Sequence, residues 1–299
     1  MESKVARRTA LGALLAFAAI IATACGGSGE KKAAVEDQLG FTPEGKEQRQ
    51  TRVENGIATC MRTQGFEYVP VDPKVRRAAL VGNASLSGAD YEKQFGYGIT
   101  TLFEQKRKLA VGPNEAIRSR LSATDGKAYD QALVGEKGGT FLHAMDTGDF
   151  SQLDGCTRKA TEEAFGGATV LQSLQAKLAE LDQRIENDPR FLTAVQKWSG
   201  CMREAGFDVA RPKDVDSTLR QRLEAIVGRE AASGASREAN LTYDRAALAA
   251  LQRQEVQMVA ADLGCEQKYI VDVEDTIRPE YEGPFREQNA ALFDQVPKP

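Results

Sequence analysis

Five cysteines, at 25, 60, 156, 201 and 265, carry the most distinctive reactive chemistry of this 299-residue chain. A thiol can be acylated, oxidised in pairs, bound to a metal or used as a nucleophile, and its surroundings select among these fates. The four later cysteines are of two kinds. Cys60 and Cys201 open the heptapeptides CMRTQGF (60–66) and CMREAGF (201–207), which share Cys, Met, Arg, Gly and Phe. Cys156 and Cys265 each follow a glycine and stand three residues before a lysine, in GCTRK and GCEQK. The kinds alternate along the chain. A duplicated unit with one bridge in each copy, Cys60–Cys156 and Cys201–Cys265, accounts for that order. Crossed bridges, Cys60–Cys265 with Cys156–Cys201, respect the contexts too and stay open at this point. Either bridge of the first scheme closes a long loop, and chain entropy assigns each about 4 kcal/mol. The sequence has no Cys-x-x-Cys, and His143 is its single histidine, so no metal site is expected.

Cys25 has different surroundings. The chain opens MESKVARRTALGALLAFAAIIATAC, with Lys4, Arg7 and Arg8 ahead of an apolar run from Ala10 to Ala24. That run is about 15 residues, short of the ~20 that span a bilayer. A basic start, a short apolar core and small residues at its end read as a secretory signal over residues 1–24, with a signal-anchor helix as the alternative. Ala22-Thr23-Ala24-Cys25, followed by Gly26-Gly27-Ser28-Gly29, resembles the lipobox of bacterial lipoproteins, with Ala22 where the usual box has leucine. The resemblance implies a diacylglycerol on the Cys25 thiol, palmitate labelling, and cleavage that leaves Cys25 first. It also implies an anchor on the outer face of the cytoplasmic membrane. Arg7-Arg8 would also permit a twin-arginine route, although the flanking residues favour general secretion. The polar, Gly-containing stretch 25–46 then reads as a flexible tether.

Composition narrows the function classes. The chain has a formal charge of −4, and removing residues 1–24, with three basic residues and one acidic, makes the remainder more acidic. No basic stripe runs along it, which argues against nucleic acid as a partner. Aromatic residues make up only 7%, and Ala, Leu, Glu, Gln and Arg dominate the patterned segments, a helix-favouring mixture. The expected fold is mostly α, with two related disulfide-stapled helical units at 47–167 and 168–299.

The elements that must position the cysteines follow from apolar spacing. Val53, Ile57, Cys60 and Met61 share a face at helical period, as do Phe191, Val195, Trp198 and Met202 after the Asp188-Pro189 helix start. Gly65 and Gly206, five residues past each cysteine, suit the left-handed position of a Schellman stop. Phe66 and Phe207 would then fold back onto Met61 and Met202. Arg62 and Arg203 fall in the last turn, where positive charge suits the helix dipole. The stretches after the stops, FEYVPV and FDVARP, contain proline and predict an edge strand or coil.

Elsewhere, Asp72-Pro73 predicts a short helix to Val81, and the glycine-rich 82–100 predicts mostly loop. Ser122 and Asp125 make a capping-box pattern for a helix ending near Gly135, and 135–150 predicts a loop. A helix from Ser151 to Phe165 would carry Cys156. Leu171, Leu174, Leu178, Leu181 and Ile185 form a seam that must pack on another helix. Asp214 would cap one further helix, and Thr242 would start a long one that reaches Ile277. Pro279 and Pro284 would interrupt the C-terminal part.

Few residues outside the cysteines offer chemistry. Asp146-Thr147-Gly148 matches aspartic proteases over three letters only, and that fold is β-rich. Asp146, Asp149 and Asp154 could approach a calcium ion, but their spacing is not that of an EF-hand. No nucleophile elbow, phosphate loop or zincin motif is present. No cofactor is expected beyond the covalent lipid on Cys25. Taken together, the lipobox, the two CMRxxGF heptapeptides, the segment from LSATDGKAYDQALVG to GCTRKA, and the late VAADLGCEQK helix resemble uncharacterised actinobacterial lipoproteins. That resemblance covers most of the chain after the signal and specifies architecture rather than activity. It implies a binding or interaction module beside an envelope transporter or cell-wall machinery, with an envelope protein as partner. The alternative is a cell-envelope hydrolase with two carboxylates about 5–9 Å apart. A shallow apolar groove between the stapled units would suit a binder, with Phe66, Tyr68, Trp198 and Phe207 as its candidate lining, although packing into the core is the stronger expectation for each.

Overall fold

The computed structural model describes residues 35, 39, 42–83, 86–110, 112–141, 144, 150–232 and 241–298. Cys25, the signal segment, His143, Asp146 and Asp149 lie outside the described residues. Among the described residues thirteen helices follow one another and no strand occurs. They are α1 (Pro43–Thr63), α2 (Pro73–Val81), α3 (Gly88–Phe95), α4 (Phe103–Ala110), α5 (Pro113–Ser119), α6 (Ala123–Val134) and α7 (Gly155–Ala164). The second part of the chain adds α8 (Ala168–Glu186), α9 (Pro189–Glu204), α10 (Lys213–Val227), α11 (Arg229–Ala232), α12 (Arg245–Tyr269) and α13 (Val271–Phe293). The stretches after the two stops are coil. No described helix is long and apolar enough to cross a membrane.

Local chemistry sets the helix boundaries. Thr42 caps α1 by accepting the Gly45 N–H, and Asp72, Ser122 and Asp188 cap α2, α6 and α9 from their side chains. Several boundaries differ from expectation. Ser87 accepts the Asp90 N–H and starts α3 inside the predicted loop 82–100, because a capped turn needs few residues and tolerates flanking glycines. Helix α7 starts at Gly155 rather than Ser151. The Asp154 carboxylate accepts the Gly155 N–H as cap and the Glu136 N–H from across the loop, which fixes the entry there. Asp214 sits inside the first turn of α10, after Pro212. Asp244, not Thr242, caps α12. Helix α12 stops at Tyr269 and the chain restarts as α13. That helix runs through Pro279 and Pro284. Both prolines are exposed, as are Asp275 and Glu280 one turn earlier, so water can reach the carbonyls that lose their partners.

Of the predicted tether 25–46, the described residues are structured. Val35 and Leu39 are buried, and α1 already begins at Pro43. Their spacing of four places both on one side of a helical turn.

Two apolar cores result. The first gathers Val53, Ile57 and Met61 of α1, Tyr129, Cys156 and Ala160, with the whole α8 seam and Ile277, Phe285 and Phe293 of α13. The second gathers Trp198 and Met202 of α9, Val215 and Leu219 of α10, Leu251, Met258 and Val259 of α12, Tyr97 and Ile99 from the segment before α4, and Phe103 at the start of α4. Each core therefore draws on residues from both sides of position 167. Helix α8 packs along α13, and α1 packs along α7. In the α1–α7 contact a Cβ on Gly56 would stand 2.9 Å from the Ala160 Cβ, so the two backbones approach as closely as glycine allows.

Candidate functional site

The disulfides join Cys60 to Cys156, with Cα atoms 5.5 Å apart, and Cys201 to Cys265, with Cα atoms 5.9 Å apart. Each bridge ties the last turn of a capped helix to a second helix: α1 to α7, and α9 to α12. Just past each bridge the helix stops in the same way. The Phe66 N–H donates to Met61 O and the Gly65 N–H to Arg62 O. The Phe207 N–H donates to Met202 O and the Gly206 N–H to Arg203 O. Gly65 has φ of 83° and Gly206 of 90°. These are the paired bonds of a Schellman motif, and the left-handed residue is glycine because a Cβ there is strained.

After the first stop, the chain from Gly65 to Tyr68 forms one wall of a cleft, and the coil continues to Asp72. Asn114 clamps this coil at Val69. Its Oδ1 accepts the Val69 N–H at 2.8 Å and its Nδ2 donates to Val69 O at 2.9 Å. The carboxylate of Glu54, buried on α1, accepts from Tyr68 Oη, the Val71 N–H and Arg76 Nη2. Phe66 meets Tyr129 edge to face, with ring centroids 5.5 Å apart. The cleft, of about 430 Å³, is lined by Ala58, Arg62, Gly65, Phe66, Glu67 and Tyr68. Arg62 and Glu67 are exposed, while Phe66 and Tyr68 are half-buried. Burial, reinforced by the Glu54 charge and hydrogen bond, pushes the Tyr68 phenol well above its usual range. The phenol thus stays neutral with its proton committed to Glu54, and it does not serve as a base. What the cleft offers a ligand is two aromatic edges, one cation and one anion on a fixed floor.

The second stop leads elsewhere. Trp198 is fully buried and donates from Nε1 to Asp262 at 3.1 Å. Tyr97 Oη donates to the other oxygen of the same carboxylate. About two helical turns earlier on α12, buried Glu255 accepts the Ile99, Thr100 and Thr101 N–H groups and the Thr100 hydroxyl. Glu255 thereby fastens the segment before α4 to the second core. Charge-assisted bonds to a carboxylate are the strong class, and they compensate the burial of both charges.

The sequence-predicted residues are thus divided. Phe66 and Tyr68 line the cleft together. Trp198 is a core residue whose ring has no exposed surface, which corrects its assignment to a groove. Phe207 packs partly buried against the second core. Neither joins the cleft at 58–68. Asp154 is committed to backbone donors, which hold its carboxyl below the usual carboxylate range. No cluster of three or more metal-ligating side chains occurs among the described residues. Sequence reasoning missed Glu54, Asn114, Glu255 and Asp262. The three acids did carry a signal: Glu54 shares a face with Ile57 and Met61, and Glu255 and Asp262 share one with Leu248, Leu251 and Val259. A carboxylate inside an apolar stripe must find donors. Asn114, on α5, gave no such sign.

No protein-family model, curated protein or solved structure matches this chain.

Proposed function

We propose that the chain is a lipid-anchored lipoprotein on the outer face of the cytoplasmic membrane, working as a binding module for an envelope protein. It serves a transporter or the cell-wall machinery. The lipobox-like Ala22–Cys25 and the two disulfides support export, since bridges persist in oxidising compartments. The observation that carries the binding role is the cleft beside the first staple. Its exposed Arg62 and Glu67 stand on a floor fixed by a disulfide, by Glu54 and by Asn114. Preorganisation of that kind lowers the ordering cost of association.

The second reading, a carboxylate-dependent hydrolase, is less favoured. Glu54, Glu255, Asp262, Asp188 and Glu282 are buried carboxylates, and each is occupied as a structural acceptor.

A photo-crosslinking residue in place of Glu67, in the full chain in living cells, tests the binding role. One dominant adduct with an envelope membrane protein is expected, and it should weaken at least tenfold with Arg62→Glu. Absence of any adduct, alongside turnover of cell-wall fragments by the purified protein, would reverse the ranking. Palmitate incorporation that survives Cys25→Ala would remove the anchor.

A further inference from the structure

Helix α2 has no buried residue. Its sequence, PKVRRAALV, contains three basic residues and no acidic one. Lys74, Val75 and Ala79 are exposed, and at 100° per residue they lie within one arc of the helix; Lys74 pairs with Glu47 of α1 at 3.2 Å, and its side chain stays 70% exposed. Arg76 and Arg77 turn the other way, to Glu54 and to Leu86 O. Only three large apolar side chains are exposed among the described residues: Val69 (39%), Val75 (64%) and Leu192 (40%). Two of these fall within seven residues of one another, on α2 and the coil that leads into it. Helix α4 packs beside α2 and adds Lys106, Arg107 and Lys108, with Glu104 as its one acid.

This basic region contrasts with the rest of the chain. Residues 73–120 hold nine Lys or Arg against four Asp or Glu, whereas 121–299 hold 21 against 30. A cationic helix that exposes valine and alanine with lysine at the edge has the makeup of an interfacial membrane helix. A partner with many negative charges at one plane and hydrocarbon just beneath satisfies both halves of that surface. An acidic protein groove would satisfy both only with a matching pocket for Val75.

We propose that α2, flanked by α4, is a second membrane contact that lays Val75 among anionic lipid headgroups with Lys74 and Lys108 at its rim. The inference rests on the reading of Cys25 as a lipid anchor. Ten residues separate Cys25 from buried Val35, so the body cannot stand more than about 35 Å from the bilayer. Within that reach the basic face turns toward the membrane and the acidic remainder away from it. The cleft at 58–68 then sits beside the membrane surface, next to the coil at Val69.

The test uses the mature, lipidated full chain reconstituted into vesicles of phosphatidylcholine alone or with one part in three phosphatidylglycerol. Flotation reads the anchor, and hydrogen exchange of the peptide covering 73–81 reads α2. The anionic vesicles should slow that exchange roughly fivefold or more relative to neutral ones, since each basic residue near such a surface is worth about a fivefold bias. The slowing should disappear in 1 M salt, where charges are screened within about 3 Å. It should also disappear in the triple variant Lys74→Gln, Val75→Ser, Lys108→Gln, whose sites are all exposed. Equal exchange on both vesicles, with the protein still floating, overturns the proposal. Slowing produced equally by soluble polyphosphate on neutral vesicles overturns it too, because the partner would then be a polyanion rather than a lipid surface. Failure to float on neutral vesicles defeats the acyl anchor instead. If the protein then floats on anionic vesicles only, and the triple variant does not, the α2 contact stands alone.

Discussion

Two copies of one heptapeptide end two helices with the same pair of backbone bonds and carry a disulfide at the same register, yet they serve different surroundings. The first staple joins α1 to the short α7, and glycine against alanine brings those helices close at Gly56. The residue at the matching position of the second copy is Lys197, which is exposed. There the staple reaches Cys265 near the end of the 25-residue α12. Beyond the first stop the chain is pinned by Glu54 and Asn114 and borders a cleft. In the second half, indole, phenol and backbone donors converge on Asp262 and Glu255, deep in the core. A local motif can therefore be repeated faithfully while the long-range partners that give it a purpose diverge.

The comparison can be broken most forcefully at the bridges. Replacing Cys60 and Cys156 by alanine, or Cys201 and Cys265, should each lower unfolding free energy by about 4 kcal/mol in urea titrations. The closed loops, with separations of 96 and 64 residues, differ little on a logarithmic scale. A loss under about 1 kcal/mol for either pair would mean that packing already restrains that loop in the unfolded chain.

A smaller effect sharpens the contrast. Gly56→Ala should cost about 1–3 kcal/mol by forcing α1 from α7. Lys197→Ala at the matching site should stay within about 0.5 kcal/mol. Equal costs would mean that the two helix pairs approach alike. Smaller again, and equal in both copies, should be Gly65→Ala and Gly206→Ala. A Cβ finds open space at each, so only the left-handed backbone matters, at about 1 kcal/mol.

Asp188→Asn should keep the helix cap, since asparagine also caps helices, and lose only the carboxylate charge. Its signature lies in acid. Hydrogen bonds from Arg190, strengthened by the Arg190 backbone N–H and Tyr281, hold the Asp188 carboxyl well below the usual carboxylate range. A depressed folded value contributes stability above the unfolded pKa, and that stability is lost as pH falls through the folded value. Thr42, the cap of α1, does not titrate. The sole tryptophan, Trp198, reports only the second core. The advantage of the wild type over Asp188→Asn, read from Trp198 emission in urea titrations, should be largest near neutral pH and shrink as pH falls, and a difference that does not change with pH would remove the Asp188 charge from the account.

What could be read in advance was mostly local. The stops at Gly65 and Gly206, the caps Asp72, Ser122 and Asp188, and the seam from Leu171 to Ile185 depend on residues within a few turns of each other. Periodicity and capping rules see that range. The disulfide pairing was narrowed by residue context and then met by the geometry. The place of Trp198 stayed open between groove and core because an aromatic on an apolar helix face suits both, and only the position of α12 with Asp262 decides. The passage of α13 through two prolines was hidden for a related reason: a proline breaks a helix less when its freed carbonyl faces water, and exposure is a property of the packed whole. The cleft required Asn114 to meet Val69, 45 residues away, a pairing with no trace in spacing.

Helix α13 begins with Val271 in the second core and ends with Phe285 and Phe293 in the first. The interior around the first staple therefore stays unfinished until α13 has been synthesised. Removing 280–299 would uncover the seam of α8, which packs along α13. The first core is thus begun early in synthesis and completed late.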